Sequence, residues 1–230
     1  MRLLLVLVAL SLAAVLAVRH LERTRPQDLP WSPLDLEAPV GWATRTKLAR
    51  LADDPAQCFA LLDAAGIRYR RIADTRGPDE ACGFRNALVL ERSSLAYSPT
   101  PVRISCPLAA TLTIWEREVV QPAARMHLQT DIRSALTFGT YACRRLYGRT
   151  SGAYSRHATA DAIDIAGFRT ISGRTVSVLH DWPKPSRDSD FLKAVRDEGC
   201  RLFGTTLSPD YNAAHRDHLH LDVGGWMTCR

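Results

Sequence analysis

The first eighteen residues constrain this chain more than any other segment. Leu3 to Val18 is one apolar run, interrupted only by Ser11, with Arg2 before it and Arg19, Arg23 and Arg25 after it. Such a run is too hydrophobic on every side to be a surface helix. It reads as a secretory signal or a membrane anchor. Val15-Leu16-Ala17 is a passable cleavage site. As a helix the run covers ~24 Å, which flanking arginines that snorkel can extend towards a ~30 Å hydrocarbon core. An uncleaved anchor is the favoured reading, and both readings export the remainder. Cys58, Cys82, Cys106, Cys143, Cys200 and Cys229 all lie beyond the run. An even set of widely spaced cysteines in an exported chain reads as disulfides, with fifteen possible pairings that spacing does not choose among. None forms a CxxC pair, which argues against a thiolate zinc site or a thioredoxin-like centre.

Beyond the leader the sequence is of ordinary globular type. Of 230 residues, 46% are hydrophobic and 23% charged, so disorder and fibrous repeats are excluded. The formal charge of +6 comes almost wholly from arginine, because Lys47, Lys184 and Lys193 are the only lysines. No basic run is interleaved with aromatics and no nucleic-acid motif occurs, so nucleic acid is not an expected partner. The chain divides into a signal or signal-anchor (1–18), a Pro-rich tether (19–40) and one domain (41–230). Pro26, Pro30, Pro33 and Pro39 make the tether extended rather than helical.

Within the domain, Cys58, Leu61, Leu62 and Ala65 recur at helical spacing, ended by Gly66. Pro107 opens a second helix whose inner face is Leu108, Leu112, Trp115 and Val119. A third carries Phe191, Leu192 and Val195. Strands are expected at 67–72, 87–90, 102–105, 162–168 and 175–179, the last two joined across Ser172-Gly173.

Two histidine clusters carry the chemistry. His20, His127 and His180 stand alone, whereas His157 precedes Asp164 by seven residues and His215, His218 and His220 sit together. From Ala162 onward, alternation sends Ile163 and Ile165 to a core while Asp164 shares the other face with Ala162 and Ala166. From His218 to Val223 alternation is strict: His218, His220 and Asp222 lie on one side, Leu219, Leu221 and Val223 on the other. Three ionisable groups on one strand face are costly unless that face lines a site. Two imidazoles and a carboxylate suit zinc and leave a place for water, which zinc acidifies to near neutral pH.

Ser155-x-His157-x6-Asp164 followed by His218-x-His220 resembles the zinc peptidase group of D-Ala-D-Ala carboxypeptidases, lysostaphin-type endopeptidases and the hedgehog signalling domain. More closely, Cys143-Arg144, Ser155 to Ile165, Asp181-Trp182, Phe191 to Phe203 and Pro209 to Asp222 resemble the bacterial extensin-like C-terminal domain family. The resemblance runs from about Cys58 to the C-terminus. It implies an α+β fold with a central antiparallel sheet and flanking helices, hedgehog/D-Ala-D-Ala-peptidase-like, and the cleavage of cell-wall peptides. It also implies His157, Asp164 and His220 as zinc ligands and Asp217 as general base, with His218 near the site. Arg144 is implied as the residue that binds substrate, and Ser155 as one that bonds substrate or holds the His157 loop. Relatives carry Gly where Ala160 stands. Asp217 has the stronger precedent as base, yet a residue three before His220 faces away in a regular strand. It reaches the site only if the strand begins at His218 or bends there. His215 and Asp222 are candidate partners that orient ligand histidines.

The expected function is a zinc hydrolase that cuts amide bonds in peptidoglycan peptides, held on the periplasmic side of an inner membrane. The rival is a cell-wall or protein-binding module with a structural zinc site, as the hedgehog domain cautions.

Overall fold

The structure is a computed structural model and describes residues 2–79, 81–224 and 227–230. In chain order it comprises α1 (Arg2–Thr24), α2 (Thr44–Arg50), α3 (Pro55–Ala64), β1 (Arg68–Arg71), β2 (Thr75–Arg76), β3 (Gly83–Phe84), β4 (Ala87–Arg92), β5 (Ala96–Ser98) and β6 (Val102–Ser105). Next comes α4 (Cys106–Trp115), prolonged by wide turns and the short α5 (Gln121–Ala123) as far as Leu128. The second half holds β7 (Ile132–Gly139), β8 (Ala162–Thr170), β9 (Thr175–Ser177), α6 (Val178–Asp181), α7 (Arg187–Gly199), β10 (Thr205–Leu207), β11 (Leu219–Asp222) and β12 (Thr228–Cys229).

Local chemistry accounts for the helix starts. Asp54 accepts from Gln57 N–H at 2.9 Å ahead of α3, and Ser105 from Leu108 N–H at 3.4 Å ahead of α4, each succeeded by proline in the first turn. Ser186 does the same for α7 through Ser189 N–H.

The class is α+β. The main sheet has seven strands in the order β12-β10-β11-β8-β7-β5, with β9 also on β8. Its centre is antiparallel, as expected, but β5 runs parallel to β7 and β12 parallel to β10, so the sheet as a whole is mixed. A three-stranded sheet, β1-β4-β6, lies beside it. Ile163, Ile165, Leu219 and Leu221 enter one core with Trp115, Phe168, Phe191 and Phe203. That core covers one face of the main sheet and leaves the alternate residues of β8 and β11 on the other.

β8 keeps this division by means of a bulge. Leu136 pairs with Gly167 but Thr137 with Ile165, so Ala166 is an extra residue. The bulge resets alternation, which lets Phe168 join Ile163 and Ile165 in the core. Gly167 then passes so close to the Val176 carbonyl of β9 that a Cβ there would collide with it.

Three expectations are revised. The strand expected at 175–179 ends at Ser177 and turns into α6. β7, the strand between β8 and β5, had no counterpart among the expected strands. The Pro-rich stretch does not stand clear of the domain: α1 continues to Thr24, and Gln27, Leu29, Leu34 and Leu36 are buried. Apolar side chains spaced between the prolines give that segment a surface to bury without regular structure. The cysteines pair as Cys58–Cys106, Cys82–Cys143 and Cys200–Cys229, and none is free.

Candidate metal centre

His157 sits on a single helical turn, Arg156–Thr159, between β7 and β8. Ser155 opens the turn and its Oγ accepts from His157 N–H at 3.3 Å. Ala160 closes it in the left-handed region at φ 58°, a conformation that glycine adopts more readily than alanine. His157 Nδ1 donates to the Thr140 carbonyl at 2.8 Å, just beyond the end of β7. A carbonyl only accepts, so the proton is on Nδ1 and Nε2 of the neutral ring offers a lone pair.

The other two donors face each other across the β8–β11 ladder, where His220 and Asp164 are direct partners. His220 Nε2 lies 3.1 Å from Asp222 Oδ2, two residues along the same strand. With its proton given to that carboxylate, Nδ1 of a neutral His220 is also a lone pair. It points at Asp164 Oδ1, 2.9 Å away. His157 Nε2 is 3.1 Å from the same oxygen and 3.2 Å from His220 Nδ1. Opposite Asp164 on β7 is Gly139, which has no side chain to close that flank.

Three lone pairs thus meet in a triangle with nearly equal sides. Donors so placed could share one cation, since a four-coordinate ion with ligand bonds of ~2.0–2.1 Å spans ~3.3 Å between donors. The chain's own electrostatics agree. Without an ion, ring N–H groups can take its place: burial acts to raise the Asp164 pKa, but His157 and His220, when a ring N–H rather than a lone pair faces the carboxylate, outweigh it and hold the carboxyl below the usual carboxylate range. Burial likewise works against charge on His220, yet Asp164 and Asp222 lift its pKa to about 9. The spot favours positive charge. His157, Asp164 and His220 could therefore hold a metal ion.

The structure places Asp217 and His218 differently relative to these donors. β11 begins at Leu219, so alternation does not govern Asp217. His218 Nε2 is 3.5 Å from Asp164 Oδ1, at the edge of the triangle. Its Nδ1 is 2.9 Å from Asp217 Oδ1. Asp217 stands behind His218 and does not line the pocket. Asp222 Oδ2 bonds the far ring nitrogen of His220, whereas His215 is turned elsewhere: its Nδ1 bonds Asn212 Oδ1 at 2.8 Å. Burial, then the neighbouring His218 and His220, lowers the His215 pKa to about 4, so its ring is neutral in the pocket wall.

The donors open into a pocket of about 440 Å³. Arg144 and Ser155 line it, as do Arg156, Tyr147 and Tyr211. The last three could not be singled out from sequence because they lie on loops joined only in the fold. Phe138, exposed on β7, sets its ring 6.0 Å from that of His218.

The family model described as extensin-like protein C-terminus matches residues 56–230. No curated protein and no solved structure matches the chain.

Proposed function

The chain belongs to the extensin-like C-terminal domain family, and from that premise we propose that it is a zinc-dependent hydrolase of amide bonds in peptidoglycan peptides. The observation that carries this reading is the convergence of His157 Nε2, Asp164 Oδ1 and His220 Nδ1 within 3.2 Å of one another, the far nitrogen of each ring being tied elsewhere. The leader and three disulfides support an exported location, which we take as the periplasmic side of the inner membrane.

Bound zinc supplies Lewis acidity and lowers the pKa of a water to near neutral. His157, Asp164 and His220 hold the ion, and Ser155 braces the His157 turn. His218 takes the proton of the attacking water at Nε2 and returns it to the leaving amine. Asp217 fixes the proton on His218 Nδ1 and supports the imidazolium. This reverses the preference that precedent gave to Asp217, because the base must reach the reacting atoms and His218 is the group that does. Arg144 offers its guanidinium fork to a peptide carboxylate or carbonyl.

His157→Ala should abolish both zinc retention after dialysis and release of new termini from purified muropeptides. A variant with full activity removes the mechanism. Stoichiometric zinc in the wild type without any cleavage selects the binding module instead.

A further inference from the structure

α1 and the domain are joined with almost no slack. α1 ends at Thr24, and Gln27 is already buried. Arg25 N–H still bonds the Leu21 carbonyl at 2.8 Å, in line with the helix. Beyond it, Pro26 O accepts from Lys47 Nζ at 2.9 Å, Gln27 O from Ala43 N–H at 3.0 Å, and Asp28 Oδ1 from Trp42 N–H at 2.8 Å. A chain clamped at three successive residues cannot act as a stalk. Whatever surface α1 enters, the 26–43 face of the domain meets as well.

The depth of that face comes from helix geometry. The apolar run ends at Val18. At ~1.5 Å per residue, Glu22 lies ~6 Å further out. The headgroup layer on each side of a ~30 Å hydrocarbon core is ~5–7 Å thick. Trp31 Nε1–H donates to Glu22 Oε1 at 3.2 Å, which fixes an indole that is 60% exposed at headgroup depth. Trp42, 94% exposed, lines a cavity of about 460 Å³ with Thr24, Arg25, Asp28 and Arg201. Arg201 pairs with Glu198 at 2.9 Å and Asp28 Oδ1 accepts from the Trp42 backbone while keeping its charge, so Arg25, exposed at the rim, is the cation there without a carboxylate partner among the described residues. Arg19 and Arg23 on α1 are exposed beside them. Indoles and arginines gathered where an apolar helix ends are the chemistry of a membrane interface, where the ring is half-buried and the cation reaches phosphate.

We infer that α1 is retained and that Trp31, Trp42 and Arg25 form a bilayer-docking face that takes phospholipid headgroups, seating the domain directly on the membrane.

The test uses the full chain in vesicles of phosphatidylethanolamine and phosphatidylglycerol that carry a nitroxide quencher either in the headgroup or at mid-chain. Headgroup nitroxide should quench tryptophan emission more than mid-chain nitroxide. Trp31→Phe should remove the largest share of that quenching and Trp42→Phe a smaller one. Every sample carries Trp226→Phe so that this indole does not report, and Trp115 and Trp182 are buried in the core and stay unquenched. Equal quenching in this parent and in the variant that lacks Trp31 and Trp42 as well overturns the inference. So does an intact mass of the exported protein showing a mature chain that begins near residue 18.

Discussion

His220 makes two contacts that have different consequences if lost. Asp164 faces its near ring nitrogen and would share the ion of the proposed site, whereas Asp222 touches only the far nitrogen and would aim the near one. Asp222→Asn keeps an acceptor of the same shape but removes its charge, so the imidazole becomes a poorer donor. Metal affinity should fall ~10–100-fold, read by competition with a chromophoric chelator, while the fold persists. A variant that binds as tightly as wild type would show that Asp222 only fills space. The neighbouring pair divides along the same line. His218→Ala should lower kcat ~10²–10⁴-fold with zinc still bound, as loss of a proton carrier does. Asp217→Asn should cost less and leave KM unchanged. A larger loss in Asp217→Asn would return the base role to Asp217. These residues were legible because the two-residue period of a strand is a local rule, and His218 to Asp222 obeys it. The order of Asp217 and His218 was not, since it depends on where β11 begins. Thr140, Arg156, Tyr147 and Tyr211 gave no signal at all: their part in the pocket comes from loops that only the completed sheet brings together.

At the scale of elements, the two halves of the chain show why some segments could be read and others could not. α3 and α4 announce themselves through a capping side chain and a proline, both local features. β7 carries register shifts at Ile132/Ser134, Leu136/Thr137 and Thr137/Gly139, which erase the alternation that would have marked it. β8 keeps a clean period only up to its bulge. Gly167→Ala should disturb the junction with β9 and cost ~1–3 kcal/mol, as overpacking of a fixed backbone does. Because Asp164 rides on the same strand, the loss should appear in metal affinity as well as in Tm. A separate test concerns Glu116, buried where the α4 helix continues. Its carboxyl accepts from Ser93, Ser94, Leu95 N–H and Tyr97, the last at 2.5 Å. Burial nonetheless outweighs those bonds and holds its pKa above the ordinary glutamate value. A carboxyl raised in the folded state contributes stability below its unfolded pKa and loses it as pH climbs through the folded one. Glu116→Gln cannot titrate, so the Tm of wild type minus that of the variant should decrease as pH rises above about 4, where an unfolded glutamate begins to ionise. A constant difference would mean that folding leaves the carboxyl's pKa unchanged.

Across the whole molecule, the disulfides decide which loops are fixed relative to the metal donors. Cys82–Cys143 joins the turn before β3 to the residue preceding Arg144, across 61 positions of sequence. Chain-entropy reasoning assigns a closure of that length up to ~4 kcal/mol. The donors do not depend on it directly: His157 is held by Thr140 and Ser155, and Asp164 and His220 by the β8–β11 ladder. The bond therefore stabilises the body and the substrate side of the pocket, leaving the ion to the sheet. Cys82→Ser with Cys143→Ser should lower Tm and raise KM for a muropeptide, because Arg144 loses its anchor, while zinc stays stoichiometric after dialysis. Loss of zinc together with Tm would show that the two histidine clusters need the bridge to stay aligned. An unchanged KM would show that Arg144 does not dock the peptide. The pairing could not be read from the spacing of six cysteines, since it depends on which loops the sheet brings to the pocket mouth. That an oxidised bridge and an apolar leader occur in one chain was legible, because export is a condition both must share.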